Sequence, residues 1–170
     1  MPFCIRKCPY CAFYSKTPAA GEIATYIESL RRECGWRLKT CGRRVPCVTL
    51  YVGGGTPSLL TPPQWKDVRV CLDTAFDLSC AVEQTVEANP ESLTREHLNL
   101  WKKTGFTRIS IGVQSLDDAD LAVLNRPHTA AEAEQAVEMS LEQGFQVSAD
   151  LMFGLPGQTM RTWMSTLHRA

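Results

Sequence analysis

No apolar run in this sequence approaches the length of a membrane span, so an integral membrane helix is not expected. Neither sign of charge is in excess. The 18 Lys and Arg balance 18 Asp and Glu, which removes the global field expected of a protein that binds nucleic acid or an anionic membrane. Low-complexity tracts and linkers are missing, and 170 residues with 44% apolar content can bury a sizeable core as one domain. Met1-Pro2-Phe3 is too short for a targeting segment, and the start offers no secretory leader. The eight cysteines are therefore expected to be reduced, in the cytoplasm, rather than paired as a secreted disulfide scaffold.

Three of those cysteines, Cys4, Cys8 and Cys11, fall within eight residues at C-x3-C-x2-C spacing. Three thiolates on one short loop reach three corners of a 4Fe-4S cube, and a fully ligated cube needs four, so one iron stays open for a ligand. Zinc is the competing reading, but no second Cys or His pair of matching spacing follows nearby. The remaining Cys34, Cys41, Cys47, Cys71 and Cys80 show no ligand pattern and read as reduced thiols packed as small apolar groups.

Helical and strand periodicities alternate along the chain. Helical spacing runs over about 20–41, up to Gly42, and Val48–Val52 reads as a buried strand. Thr61-Pro62-Pro63-Gln64 starts a helix to about Phe76, Ala81–Ala88 is a strand, and Thr94 opens a helix ending near Gly105. A strand over 108–113, helices at about 117–124 and 129–143, a strand over 145–153 and a helix from Gln158 complete the pattern. Strand and helix alternating four times predict an α/β fold with right-handed crossovers and a parallel sheet.

Ligands of such folds gather at the carboxyl ends of strands. Gly53-Gly54-Gly55-Thr56-Pro57, Glu87-Ala88-Asn89-Pro90, Gln114-Ser115 and Asp150–Gly157 occupy those ends. Consecutive glycines let backbone groups approach a ligand, or merely make a flexible turn. Glu87 calls for a cation, either a ligand ammonium or an internal Arg or Lys. Gln114 offers donor and acceptor together. Arg126 suits a ligand carboxylate, or else caps a helix or holds Asp118 or Asp120. Gly154-Leu155-Pro156-Gly157 is a turn signal.

The cysteine loop, GGGTP, EANP, SIGVQS and DLMFGLPGQT, in this order and spacing, resemble the radical S-adenosylmethionine superfamily. The resemblance is to the branch of oxygen-independent coproporphyrinogen III oxidase and the HemW-type heme chaperone, and it spans essentially the whole chain. It implies a partial parallel (β/α) barrel with about four of six strands. It also implies that Cys4, Cys8 and Cys11 hold a 4Fe-4S cluster whose open iron takes S-adenosylmethionine. Tyr10, Gly54, Gly55, Thr56, Glu87, Gln114, Arg126 and Asp150 match the family's contacts to that cofactor. In catalytic members one electron from the cluster cleaves the cofactor to methionine and a 5′-deoxyadenosyl radical, which abstracts hydrogen from substrate; the protein's part is positioning and exclusion of water and oxygen. A reductant such as flavodoxin or ferredoxin, a heme or porphyrin ligand and heme-accepting respiratory proteins are the partners implied.

Departures choose within the branch. Oxidases similar to this chain carry a further cysteine two residues beyond the third, where Phe13 stands here. Asn125-Arg126-Pro127-His128-Thr129 looks more like the chaperone branch, with His128 either a heme ligand or a solvent-facing residue at a helix start. A heme chaperone, a porphyrinogen oxidase, and a radical methyltransferase or heme-degrading relative therefore all remain open. Only Met1-Pro2-Phe3 precedes the cysteine loop, so the first barrel strand and the C-terminal domain are expected to be missing. With two open sheet edges, the chain is expected to be poorly soluble and to lose its cluster readily, unless it proves a cooperatively melting monomer with a stable cluster.

Overall fold

The computed structural model describes residues 1–170. Helix α1 (Glu22–Cys41) stops where Gly42, at φ 67°, donates its N–H to Leu38 O. Strands β1 (Val45–Pro46) and β2 (Thr49–Val52) follow, then α2 (Pro62–Ala75). A reciprocal capping box between Thr61 and Gln64 starts α2, and the prolines in its first turn give up no helical hydrogen bond. After β3 (Phe76–Asp77) and β4 (Glu83–Ala88) comes α3 (Arg95–Lys103), capped by Thr94. Strand β5 (Arg108–Gln114) leads to α4 (Asp118–Val123), capped by Asp117, and α5 (Ala130–Glu142), capped by a Thr129/Glu132 box. Strand β6 (Gln146–Leu151) and α6 (Met160–Arg169) complete the chain.

Four parallel strands form one sheet in the order β2-β4-β5-β6, and β1 pairs with β3 in a small second one that the periodicity did not foretell. Each extra strand of that small sheet spans two residues, too few for an alternation to register. The strands of the main sheet carry two faces. Val86, Ala88, Ile109, Ile111 and Val113 are buried beneath the helices, with Leu50, Val52, Val147, Ala149 and Leu151 packed against the same core. Residues of the opposite parity, Glu87, Ser110, Gly112, Gln114 and Asp150, face a cleft instead. Between Ile111 and Gln114 the pairing with β6 slips, a bulge that re-aims side chains at the end of β5.

The core centres on Trp65, Trp101 and Phe106, packed edge to face with Trp65–Trp101 and Trp65–Phe106 centroids 5.3 and 5.8 Å apart. The expectation of a buried strand at Val48–Val52 is corrected. β2 is a sheet edge paired only with β4, and Tyr51 and Val48 are 58% and 66% exposed. An apolar β-branched run marks one covered face, not two. The spare cysteines also divide: Cys34 and Cys71 are buried between α1 and α2, Cys47 is half-buried, and Cys41 and Cys80 are exposed, so only the first two pack fully as apolar groups.

His97 ties the start of α3 to the turn before α2, with Nε2 2.6 Å from Leu60 O and Nδ1 2.9 Å from the Thr94 hydroxyl. Burial pushes its pKa below the usual value, outweighing the hydrogen bond to Leu60 O. The unfolded chain therefore takes up the proton first. Stability contributed by neutral His97 is complete above the unfolded pKa of about 6.5 and declines as pH falls below it. Urea midpoints measured between pH 8 and pH 5 are expected to drop across that window in the parent and less in His97→Gln. Parallel pH dependence in both proteins would remove His97 from the explanation.

Candidate cluster and cofactor site

The cysteine loop is pinched at its base. Phe3 and Lys16 form a parallel bridge, with the Cys4 N–H donating to Lys16 O (3.0 Å) and the Lys16 N–H to Pro2 O (2.9 Å). Phe3 is buried and meets Tyr26 of α1 edge-on at 5.5 Å. Within the loop the Cys11 N–H donates to Cys8 O (3.1 Å), Lys7 Nζ reaches Phe13 O (3.2 Å) and Arg6 donates to Asn125 O (2.5 Å). All three thiols are free and half-buried. No three His, Cys, Asp or Glu side chains converge as ligands of a single ion would. A cluster instead spreads its ligands around the corners of a cube.

The glycine run lies against the chain's own first residues. Met1 N donates to Gly53 O (2.6 Å), the Gly55 N–H to Met1 O (2.5 Å) and the Thr56 N–H to Phe3 O (2.6 Å). A Cβ on Gly55 would stand 2.5 Å from Phe3 O, and one on Gly54 2.7 Å from Met1 O. The close approach that requires glycine here is thus made by backbone of this chain. Of the cations expected for Glu87, no internal Arg or Lys pairs with it; the carboxylate accepts from the Tyr51 hydroxyl (2.7 Å) and the Gly54 N–H (2.9 Å). Burial and the Glu87 bond push the Tyr51 phenol up to about 12.

Arg126 is nearly enclosed, its side chain 5% exposed. Its Nη2 donates to Gly112 O (2.8 Å) and Asn89 Oδ1 (3.0 Å), Glu91 Oε2 lies 3.9 Å away, and Nη1 is 3.7 Å from Cys8 Sγ. It neither caps a helix nor holds Asp118 or Asp120: Asp118 accepts from the Ala130 N–H, and Asp120 from Ser115 and Gln158. His128 is not solvent-facing. It is 3% exposed, with Nδ1 3.2 Å from Glu91 Oε2 and Nε2 3.1 Å from Val113 O, so neither ring nitrogen is free for heme iron. A proline and a helix start around it suggested exposure, but β5 and the turn after β4 close over it. Burial raises the Glu91 pKa, yet the His128 hydrogen bond and Arg126 bring the net shift below the usual carboxylate range.

Asp150 accepts from the Ser110 hydroxyl (3.2 Å); burial pushes its pKa up, helped by the Glu87 charge. Gln114 takes φ 67°, a left-handed conformation rare outside glycine, just where β5 ends at the bulge. The Gly154–Gly157 turn is held by Gln158, whose Oε1 accepts from the Gly154 N–H (2.8 Å) while its Nε2 donates to Asp120 (2.8 Å). Asn89, Glu91 and Gln158 had no role assigned from sequence. Two of them flank Pro90 in the EANP segment and one closes GLPGQ, so position was the available signal.

All eleven residues singled out, Cys4, Cys8, Tyr10, Cys11, Gly54, Gly55, Thr56, Glu87, Gln114, Arg126 and Asp150, line one cleft of about 140 Å³. Thr56 contributes from within the wall, its hydroxyl accepting from Asn89 (2.9 Å). Three soft thiolate donors at the cleft edge and a floor of carboxylates and amide oxygens fit an iron-sulfur cluster beside a ligand that carries an ammonium and hydroxyls.

The radical SAM superfamily profile matches residues 1–170. The chain is 38% identical over 170 residues to radical S-adenosyl methionine domain-containing protein 1, mitochondrial, of Mus musculus, covering 99% of this chain and 38% of that one. It is 34% identical to the heme chaperone HemW of Lactococcus lactis (99% and 44%) and 30% identical to the oxygen-independent coproporphyrinogen III oxidase of Bradyrhizobium diazoefficiens (100% and 38%). The structure of the Escherichia coli coproporphyrinogen III oxidase HemN superposes with a TM-score of 0.90 at 28% identity, over 99% of this chain and 39% of that one. The chain thus spans about two fifths of the relatives it matches. The α/β fold with its parallel strands is that of the HemN radical SAM structure, and the family implies a 4Fe-4S cluster and S-adenosylmethionine. This chain belongs to the radical SAM superfamily, among proteins similar to HemW and HemN.

Proposed function

We propose that this chain is the cluster- and cofactor-binding core of a HemW-type heme chaperone. Phe13 carries the reading. It stands at the loop position where the oxidases that the sequence resembles have their additional cysteine, and it is 70% exposed, with no thiol to offer. Cys4, Cys8 and Cys11 hold the cluster. Tyr10, Gly54, Gly55, Thr56, Glu87, Gln114, Arg126 and Asp150 line the space for S-adenosylmethionine, with Glu87 and Asp150 supplying anionic acceptors and Arg126 the cation. When bound, cluster and cofactor supply one-electron reduction of a sulfonium. The chain's residues position the reactants and keep water out of a cleft narrowed by Tyr10 and the loop. Heme, heme-accepting respiratory proteins and a flavodoxin- or ferredoxin-type reductant are its proposed partners. The cytoplasmic placement is part of the same proposal; no helix is long and apolar enough to cross a membrane.

A second reading, oxygen-independent coproporphyrinogen III oxidation, draws support from the 0.90 TM-score to HemN. The test is anaerobic reconstitution with iron and sulfide, then electron paramagnetic resonance of the reduced protein with and without S-adenosylmethionine. A reduced-cluster signal that changes on adding the cofactor is expected. Heme titration of a version extended to the length of its relatives then chooses: stoichiometric heme binding without coproporphyrinogen consumption is expected, and consumption would replace the chaperone by the oxidase.

A further inference from the structure

Arg126 is held more tightly than a contact to a cofactor alone would need. One nitrogen, Nη2, is shared between Asn89 Oδ1 and Gly112 O at 3.0 and 2.8 Å. Gly112 leaves the space for this, since a Cβ there would stand 2.6 Å from Asn89 Oδ1 and 3.5 Å from Arg126 Nη2. Behind the guanidinium, Glu91 Oε2 balances its charge at 3.9 Å. His128 in turn fixes Glu91 at 3.2 Å and is itself anchored to the β5 backbone through Val113 O at 3.1 Å. Both ring nitrogens thus face acceptors. The Nε–H of Arg126 is buried without a partner, so the side chain is not placed to satisfy its own donors. What the placement achieves is a cation whose Nη1 lies 3.7 Å from Cys8 Sγ.

Resting on the reading of Cys8 as a cluster ligand, we propose that Glu91 and His128 form a positioning pair that aims Arg126 at the Cys8 sulfur, and so raises the reduction potential of the cluster. Reduction adds negative charge to cluster and ligands. A guanidinium beside a ligand sulfur in a half-dry cleft favours that charge, and hydrogen bonds to the sulfurs are an established lever on cluster potential. Arg126 is the source of the field; Glu91 and His128 act through it.

Glu91→Gln separates positioning from simple electrostatics, because the two predict opposite signs. Loss of an anion near the cluster would by itself raise the potential, whereas release of Arg126 from Cys8 lowers it. The reconstituted full chain, without S-adenosylmethionine, is poised at a series of potentials and the reduced cluster is quantified by electron paramagnetic resonance. Relative to the parent at the parent's midpoint, Glu91→Gln and His128→Gln are expected to lower the ratio of reduced to oxidised cluster about tenfold at equal iron content, which for one electron is about 59 mV. In an Arg126→Gln background, Glu91→Gln is expected to give no further fall. An unchanged or increased ratio in Glu91→Gln overturns the proposal. Should Glu91→Gln fail to load iron, His128→Gln decides, alone and in the Arg126→Gln background: a ratio lowered in the first and not lowered further in the second supports the proposal, and any other outcome overturns it. Absence of a cluster both in the parent chain and in a version extended to the length of its relatives would remove the cysteine-ligand reading itself, a result distinct from a loaded cluster whose potential does not move; where only the extended version loads, the same variants are read in it.

Discussion

Cys8→Ala is expected to abolish cluster loading: after anaerobic reconstitution, iron and acid-labile sulfide fall at least tenfold below the parent and the visible charge-transfer absorption disappears. Two thiolates cannot hold a cube that already lacks one protein ligand, and no histidine or carboxylate is gathered with them to substitute. Of the three, Cys8 offers the cleanest test. Its backbone carbonyl accepts from the Cys11 N–H at 3.1 Å, an interaction that the substitution leaves in place, so the turn survives while the sulfur is removed. The thiol is only half-buried, which keeps the cost in fold stability small. Cys41→Ala serves as the matched control, because Cys41 is exposed at the last position of α1. Its iron content should equal that of the parent. Full loading in Cys8→Ala would mean that the ligands lie elsewhere among the eight cysteines. Bound zinc in the parent, in place of iron and sulfide, would return the loop to a mononuclear reading.

The parts of this molecule legible in the sequence are those written locally. Thr61, Thr94 and Thr129 announce helix starts because a short hydroxyl side chain satisfies an N–H two or three residues on, and all three do so. The strand ends were legible because apolar alternation stops at glycine, Glu-Ala-Asn-Pro, Gln-Ser and Asp. Crossover geometry then brings such ends together, which is why eleven residues spread from position 4 to position 150 line a single cleft. The partners chosen inside the cleft were not legible. Whether Arg126 meets Asp118, eight residues away, or Asn89, 37 residues away, depends on how β4 and β5 lie side by side, which sequence proximity, the basis for offering Asp118 or Asp120 beside a ligand carboxylate, does not report. His128 misled for a related reason. The start of a helix is exposed in isolation, but α5 packs on β5, and its first turn is drawn beneath the turn at Pro90–Ser92. β2 was overestimated because a short run of apolar residues does not reveal how many of its faces and edges are covered.

Gly55→Ala is expected to be strongly disruptive for a single methyl group, destabilising the chain by roughly 2–6 kcal/mol and uncoupling the cysteine loop from the sheet. The added Cβ would lie 2.5 Å from Phe3 O, 2.8 Å from Phe3 N and 2.9 Å from Met1 O, all backbone atoms that no rotamer change can move aside. Relieving that overlap means separating Met1–Phe3 from the glycine run. The hydrogen bonds from the Gly55 and Thr56 N–H groups to Met1 O and Phe3 O would go with it. Overpacking of about 1–3 kcal/mol and two hydrogen bonds of about 0.5–1.5 kcal/mol each make up the figure. Since the residue after Phe3 is Cys4, and the Cys4 N–H closes the base of the loop on Lys16 O, the loss extends to the first proposed cluster ligand. Gly35→Ala gives the opposite expectation. Gly35 lies inside α1 with nothing within 4 Å of where the added methyl group would sit, so alanine there should stabilise by about 0.5–1 kcal/mol through helix propensity. Urea unfolding and iron content measured on the pair separate the causes. A Gly55→Ala protein with lowered midpoint and lowered iron places the N-terminal segment where the structure has it, and as the support of the loop. Lowered midpoint with full iron would confine the segment to stability, because the loop would then be holding its cluster without that base. An unchanged midpoint would mean that Met1–Phe3 does not pack on the glycine run in solution, and the close approach that explains Gly54 and Gly55 would have to be sought from the cofactor instead.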